Sequence, residues 1–217
     1  MSNALKQRIR AGIVALAPVV LAAGFLLHPY VADFTDSAEA AAAVVSGPDR
    51  WAWAHVLIAL GVVLTILAVF AIRLHLRNAG EDTWSFLTTG LITVGGGMLV
   101  ALTGLEGLGG SVVAKAGGPV EAFYEAADED WTWLFFVAII VFSLGLLALA
   151  AAVRSSGVLS AASTWVVVAA LIVGVIANFI PSSWATYVIS AVAIVGFWIL
   201  AASIWSSTET ATSGRMS

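Results

Sequence analysis

The sequence contains no cysteine. Without a thiol there is no disulfide, no thiolate metal site and no cysteine nucleophile, so the surroundings of its loops must be read from other residues. Lysine is nearly absent: Lys6 and Lys115 both lie outside the apolar runs, which excludes a retinal Schiff base, since that linkage needs a lysine in mid-membrane. The 3 histidines fall short of the four that a two-haem transmembrane electron path requires. No Walker A loop appears, so nucleotide-driven transport within this chain is excluded. Paired acids in the apolar runs and an arginine ladder are also missing, which excludes intramembrane aspartyl proteolysis and voltage sensing. Charge as a whole is scarce, at 10% of 217 residues, where a soluble domain carries about 25%. Hydrophobic residues make up 61% and the mean hydropathy is +1.02. Too few polar groups remain to cover a water-facing surface.

What is present is a series of six apolar runs, at about 11–30, 53–74, 85–108, 131–153, 162–181 and 184–205, each close to the roughly 20 residues that cross about 30 Å of hydrocarbon. The expected fold is all-α: one integral membrane domain over residues 1–217, a bundle of six transmembrane helices in the cell membrane, with the lipid bilayer as its main partner. Lys6, Arg8, Arg10, Arg73, Arg77, Arg154 and Arg215 fall on one side and only Arg50 and Lys115 on the other, so the positive-inside rule places both termini in the cytoplasm. The basic stretch before the first run resembles a signal-peptide n-region, but the run is long and lacks a clean small-x-small cleavage site; it reads as a retained helix. Tryptophans agree with this map: Trp51, Trp53, Trp131, Trp133 and Trp184 mark outer ends, Trp84 and Trp205 inner ends, and only Trp165 and Trp198 lie deeper. Acids collect in the two long outer loops, from Asp33 to Asp49 and from Glu121 to Asp130. Nothing points to nucleic acid.

The first outer loop contains Asp36-Ser37-Ala38-Glu39, then alanines, then Gly47-Pro48, which reads as a capping box, a short helix and a stop. The second carries Gly117-Gly118-Pro119 before Val120 to Ala127, a second short helix opened by proline. Cytoplasmic connections are too short for a catalytic domain, and the tail 206–217, rich in Ser and Thr, is expected to be disordered. Helices associate in lipid through small residues that let backbones approach. Span three, with Gly95, Gly96, Gly97, Gly104 and Gly107, should be central, and Ala54, Gly61 and Ala68 in span two should meet Ala17 and Gly24 in span one. Spans four to six are expected to be more lipid-exposed. Pro18 should kink the first span.

Ionisable residues inside a membrane are expensive and mark candidate sites. His28, His55 and Glu106 lie near the outer ends of spans one, two and three, at matching depth. Two imidazoles and a carboxylate suit a divalent metal with open positions. His28 and His55 alone could be axial ligands of a single b-type haem. Glu106, continued inward by Thr103, Thr93 and Thr89, could line a proton or solute path. The plainest reading is an inter-helix His–Glu contact that fixes the bundle. His75 is about 30 Å from His55 by the helical rise and belongs with Arg73 and Arg77 at the inner headgroups.

The stretch Leu26-Leu27-His28-Pro29, the short capped helix, Pro48-Asp49-Arg50-Trp51 and Ala54-His55 together resemble the first hairpin of uncharacterised small polytopic membrane proteins of high-GC prokaryotes. The resemblance implies a multi-pass fold and no activity. The leading expectation is a non-enzymatic binding or accessory subunit, alone, as a homo-oligomer or in a membrane complex, with an outward polar pocket for a metal, haem or small ligand. A small-solute or ion transporter and a membrane-embedded metal-dependent hydrolase are the alternatives.

Overall fold

The computed structural model describes the backbone of residues 2–213 and the side chains of 2–127 and 131–207. Among these residues the secondary structure is entirely helical: α1 Asn3–Leu27, α2 Ser37–Ser46, α3 Pro48–Asn78, α4 Thr83–Lys115, α5 Val120–Ser156, α6 Ala161–Ala177 and α7 Ser183–Ser213. Five of them contain stretches long and apolar enough to cross a bilayer. The helix α6 is apolar but has 17 residues, about 25 Å at the helical rise.

Helix ends follow local chemistry. The helix α1 stops at Leu27 because His28 precedes Pro29 and adopts φ −58°, ψ 133°, the extended conformation that a following proline imposes. Arg50 Nε donates to Leu27 O at 2.7 Å, placing a cation on the exposed carbonyls of α1. The expected capping box forms in part. Asp36 Oδ1 accepts from Ala38 N and Glu39 N at 2.9 and 3.2 Å, but Glu39 Oε2 accepts from Ala32 N and Asp33 N at 2.9 and 3.0 Å. It therefore folds the preceding loop onto α2 instead of closing the box. The second outer helix is not separate: Val120 begins α5, which continues to Ser156, because no proline or glycine interrupts 120–144. Likewise α7 runs on to Ser213. The first part of the tail expected to be disordered is therefore helical, since no proline or glycine falls between Gly196 and Gly214; residues 214–217 lie outside the described residues.

The long helices form an up–down ring in the order α1, α3, α4, α5, α6, α7, and α7 returns to α1. The helix α2 lies across one end, against α3, α4 and α5. The small-residue stripes lie where the sequence places them. A Cβ on Gly24 would stand 2.7 Å from Ile58 N, and one on Gly61 2.6 Å from Leu21 Cα, so α1 and α3 are in backbone contact. Ala17, Ala54 and Ala68 are fully buried beside them. Helix α4 is a member of the ring and not its centre, with open space beside Gly97 and Gly104, and the close packing extends one helix further. A Cβ on Gly95 would meet Phe142 N at 2.5 Å and one on Gly145 would meet Ile92 N at 3.0 Å, so α5, expected to be lipid-exposed, is packed as closely as α3. The expectation of exposure holds better for α6 and α7, whose Gly174 and Gly196 leave ordinary contacts of 3.6 Å.

Trp198, unexplained by its depth alone, has a partner. Proline cannot donate to the carbonyl four residues back, and its ring displaces the carbonyls of that turn. The indole of Trp198 donates to Ala15 O at 3.0 Å, within the turn that Pro18 disturbs. Trp165 in turn carries Arg154 over its ring at 5.4 Å.

Candidate functional site

The candidate site is at the α2 end of the bundle, where α1 ends, α3 begins and α4 ends. Short residues bring the backbones together there. A Cβ on Gly107 would lie 2.2 Å from His55 Cβ, so glycine at 107 is what lets His55 lie flat against α4. The three residues singled out from sequence do meet at this end, and two more aromatic residues join them. Trp51, one turn before His55 on α3, packs against both imidazoles in a triangle of tilted rings, its ring centre 4.5 Å from both His28 and His55. Tyr124, from the first turns of α5, meets Trp51 edge-on at 6.4 Å. Val31, Val44 and Val120 complete a small apolar core around them. Spacing offered a signal for Trp51, which is at i−4 from His55 and faces the same way; Tyr124 gave none, because the helix carrying it was read as a separate surface element.

The ring nitrogens are already partly assigned. His28 Nδ1 lies 2.7 Å from Pro29 O and His55 Nδ1 2.9 Å from Trp51 O. A carbonyl oxygen can only accept, so both Nδ1 atoms carry hydrogen, and in the neutral rings Nε2 is the lone-pair nitrogen. His55 Nε2 faces Glu106 Oε2 at 3.6 Å. Two acceptors do not face each other stably unless a proton or a cation lies between them. The carboxylate has 27% of its side chain exposed while His55 has 4%, so the pair is reached from the Glu106 side. His28 follows the last residue of α1 and lies buried beneath the folded-back loop. Burial, then Glu106, pushes the Tyr124 phenol above its ordinary range, leaving it a neutral donor toward Glu106 O at 3.5 Å.

This geometry narrows the sequence expectations. Among the described residues no three His, Cys, Asp or Glu side chains gather as a shared ion would require, so the three-ligand arrangement reduces to His55 and Glu106, with His28 a stacking neighbour. The haem arrangement does not fit: iron with an imidazole on each face would hold the ring centres about 6 Å apart. Here they are 4.9 Å apart with planes tilted by 52°, and Trp51 fills the adjoining space. The threonine path is not continuous either. Thr89 Oγ1 donates to Ser85 O at 2.8 Å and Thr93 is exposed on the outside of the helix. Only Thr103 faces the interior without such a bond, and it is buried.

His75, at the far end of α3, is apart from this cluster, its Nε2 3.0 Å from Ser203 Oγ. At that end Glu81, which sequence reading passed over, accepts from Trp84 N and Ser85 N at 2.8 and 3.0 Å and so caps α4. Asp82 instead pairs with Arg73 at 3.3 Å.

Fold and site define a helical, multi-pass type of membrane protein with a buried aromatic and histidine cluster at one end. No protein-family profile, no curated protein and no solved structure matches the chain.

Proposed function

We propose that the chain is a non-catalytic, six-crossing protein of the cell membrane, with α6 as one of the crossings and both termini in the cytoplasm, and that its outer end binds a cation between His55 and Glu106. The observation that supports this most directly is the facing of the His55 Nε2 lone pair and the Glu106 carboxylate at 3.6 Å. Two ligands on one tetrahedral metal at bonds of about 2.1 Å stand about 3.4 Å apart, so a divalent ion fits that gap with little movement. The bond from His55 Nδ1 to Trp51 O is the outer contact that metal-bound imidazoles usually have, and it fixes the ring in the ligating tautomer. Water or an outside ligand would complete the coordination through the exposed face of Glu106. The distribution of basic residues supports the orientation.

The test is metal content and stability in detergent. After chelation and dialysis against zinc or manganese, the protein should retain about one ion per chain and unfold at higher temperature. His55→Ala and Glu106→Gln should each abolish both effects while leaving the helical circular dichroism unchanged. Retention by both variants, or no retention by the native chain at saturating metal, would overturn the reading. Labelling of cysteines introduced at residue 4 and at residue 79 from the cytoplasmic side only would confirm the orientation.

A further inference from the structure

The ring of helices is unevenly packed, and a cavity of about 110 Å³ lies where its tight and loose sides meet. All six long helices contribute to its wall, including Pro18 and Phe25 of α1, Thr65 of α3, Phe142 of α5, Gly174 of α6 and Gly196 of α7. Pro18 and Thr65 fall near the middle of their helices, so the cavity is centred at mid-membrane depth. Its polar groups are already engaged: Thr65 Oγ1 donates to Gly61 O at 2.9 Å, and Asn178 Nδ2 reaches Ser143 Oγ at 3.4 Å. Thr65 and Asn178 are the only lining residues with polar side chains, so the wall offers almost nothing to hold water, a headgroup or an ion. Apolar cavities of comparable size, about 150 Å³, stay dry and take up small hydrocarbons.

From these observations we infer that the central cavity holds a hydrocarbon chain of a bilayer lipid, which reaches it beside α6. The surrounding medium consists of such chains, and a wall that is apolar except at Thr65 and Asn178 favours them over polar occupants. The flank at α6 is the looser side: Gly174 and Gly196 have room for a Cβ, with nearest atoms at 3.6 Å, whereas Gly24, Gly61 and Gly95 have none. Helix α6 is also the shortest of the six. The chain can come from a diacyl lipid or a polyprenyl lipid, which share this chemistry. The inference is independent of the cation site, since the two share no residue.

Native mass spectrometry and solvent extraction test it. The native protein, washed extensively in a detergent, should retain about one lipid per chain, and the extract distinguishes an acyl from a polyprenyl source. Ala193 lines the cavity, and Ala193→Phe should reduce that lipid at least tenfold. The milder Gly196→Ala should lower it partly, with folding intact. After full delipidation, adding back phosphatidylglycerol or a polyprenyl phosphate should raise the unfolding temperature of the native protein but not of Ala193→Phe. A native protein that retains no lipid and is unaffected by either lipid would overturn the inference whatever the variants do. Lipid retained equally by Ala193→Phe would overturn it as well, because the lipid would then be bound elsewhere.

Discussion

Replacing Gly107 by alanine should destabilise the protein, and the same change one turn away at Gly104 should not. An alanine Cβ at 107 would fall 2.2 Å from His55 Cβ and 2.5 Å from His55 Cγ, where carbon atoms normally rest about 3.5–4 Å apart. These atoms are the root of the imidazole, so no rotation of a flexible tip relieves the clash. Either α3 and α4 separate by about an ångström or the ring leaves its place beside Trp51. Overpacking of this kind costs about 1–3 kcal/mol, and the higher helix propensity of alanine returns at most about 1 kcal/mol. Because the clash is with atoms that cannot rotate away, the cost lies in the upper part of that range, and the net loss is about 1–2 kcal/mol. At Gly104 nothing lies within 4 Å of the added carbon, so only the propensity gain remains. For a chain of this size about 1 kcal/mol moves the midpoint by about 2–4 °C, so tryptophan fluorescence during a thermal ramp in detergent should show Gly107→Ala several degrees lower and Gly104→Ala unchanged or slightly higher. Because His55 moves, Gly107→Ala should also weaken metal retention. Equal midpoints for the two variants, or a stabilised Gly107→Ala, would refute the assigned contact between α3 and α4.

Three further changes read other parts of the structure. Ser183→Ala removes the hydroxyl that accepts from buried Val31 N at 2.9 Å and leaves that donor unpaired, at about 1–3 kcal/mol; hydrogen exchange at Val31 should accelerate. Glu81→Ala removes the cap on Trp84 N and Ser85 N and should cost about 1 kcal/mol, with faster exchange confined to the first turn of α4. Trp198→Phe keeps the ring but loses the bond to Ala15 O, and since such bonds between membrane helices average about 0.6 kcal/mol, the midpoint should fall by no more than a few degrees while the fold is retained.

How much the sequence reveals depends on what each feature rests on. Helix positions follow from the scarcity of charge, and the close pairs Gly24–Ile58 and Gly61–Leu21 follow from spacing, because only small residues permit backbone contact. The approach of α5 to α4 is less visible: it rests on Gly95 and Gly145, and Gly145 stands alone among Leu and Phe with no repeat to mark it. The equal depth of His28, His55 and Glu106 was readable from sequence, but not that His55 alone touches both of the others. Which ring nitrogen is free was not, because it depends on the carbonyls of Pro29 and Trp51, and backbone groups leave no trace in residue type. Glu81 was missed for a related reason. Its carboxylate binds amides, while the visible opposite charges, Arg73 and Arg77, are paired with Asp82.

The polar cluster at one end and the apolar cavity in the middle are connected by how the ring is closed. The helices α1 and α7 meet as first and last members with no loop between them, and Trp198 bonds one to the other. At the α2 end the loop after α1 is bound to the segment before α7: Ser183 N donates to Val31 O at 3.1 Å and Phe34 N to Pro181 O at 2.8 Å, beside the bond from Val31 N to Ser183 Oγ. Glu39 then holds the same loop to α2. The cap therefore ties α1 to the start of α7 at that end. The proposed cation site and the inferred lipid chain are thus compatible in one small bundle: the hydrogen bonds that close the ring at the α2 end are the same ones that keep the loop over His28 in place.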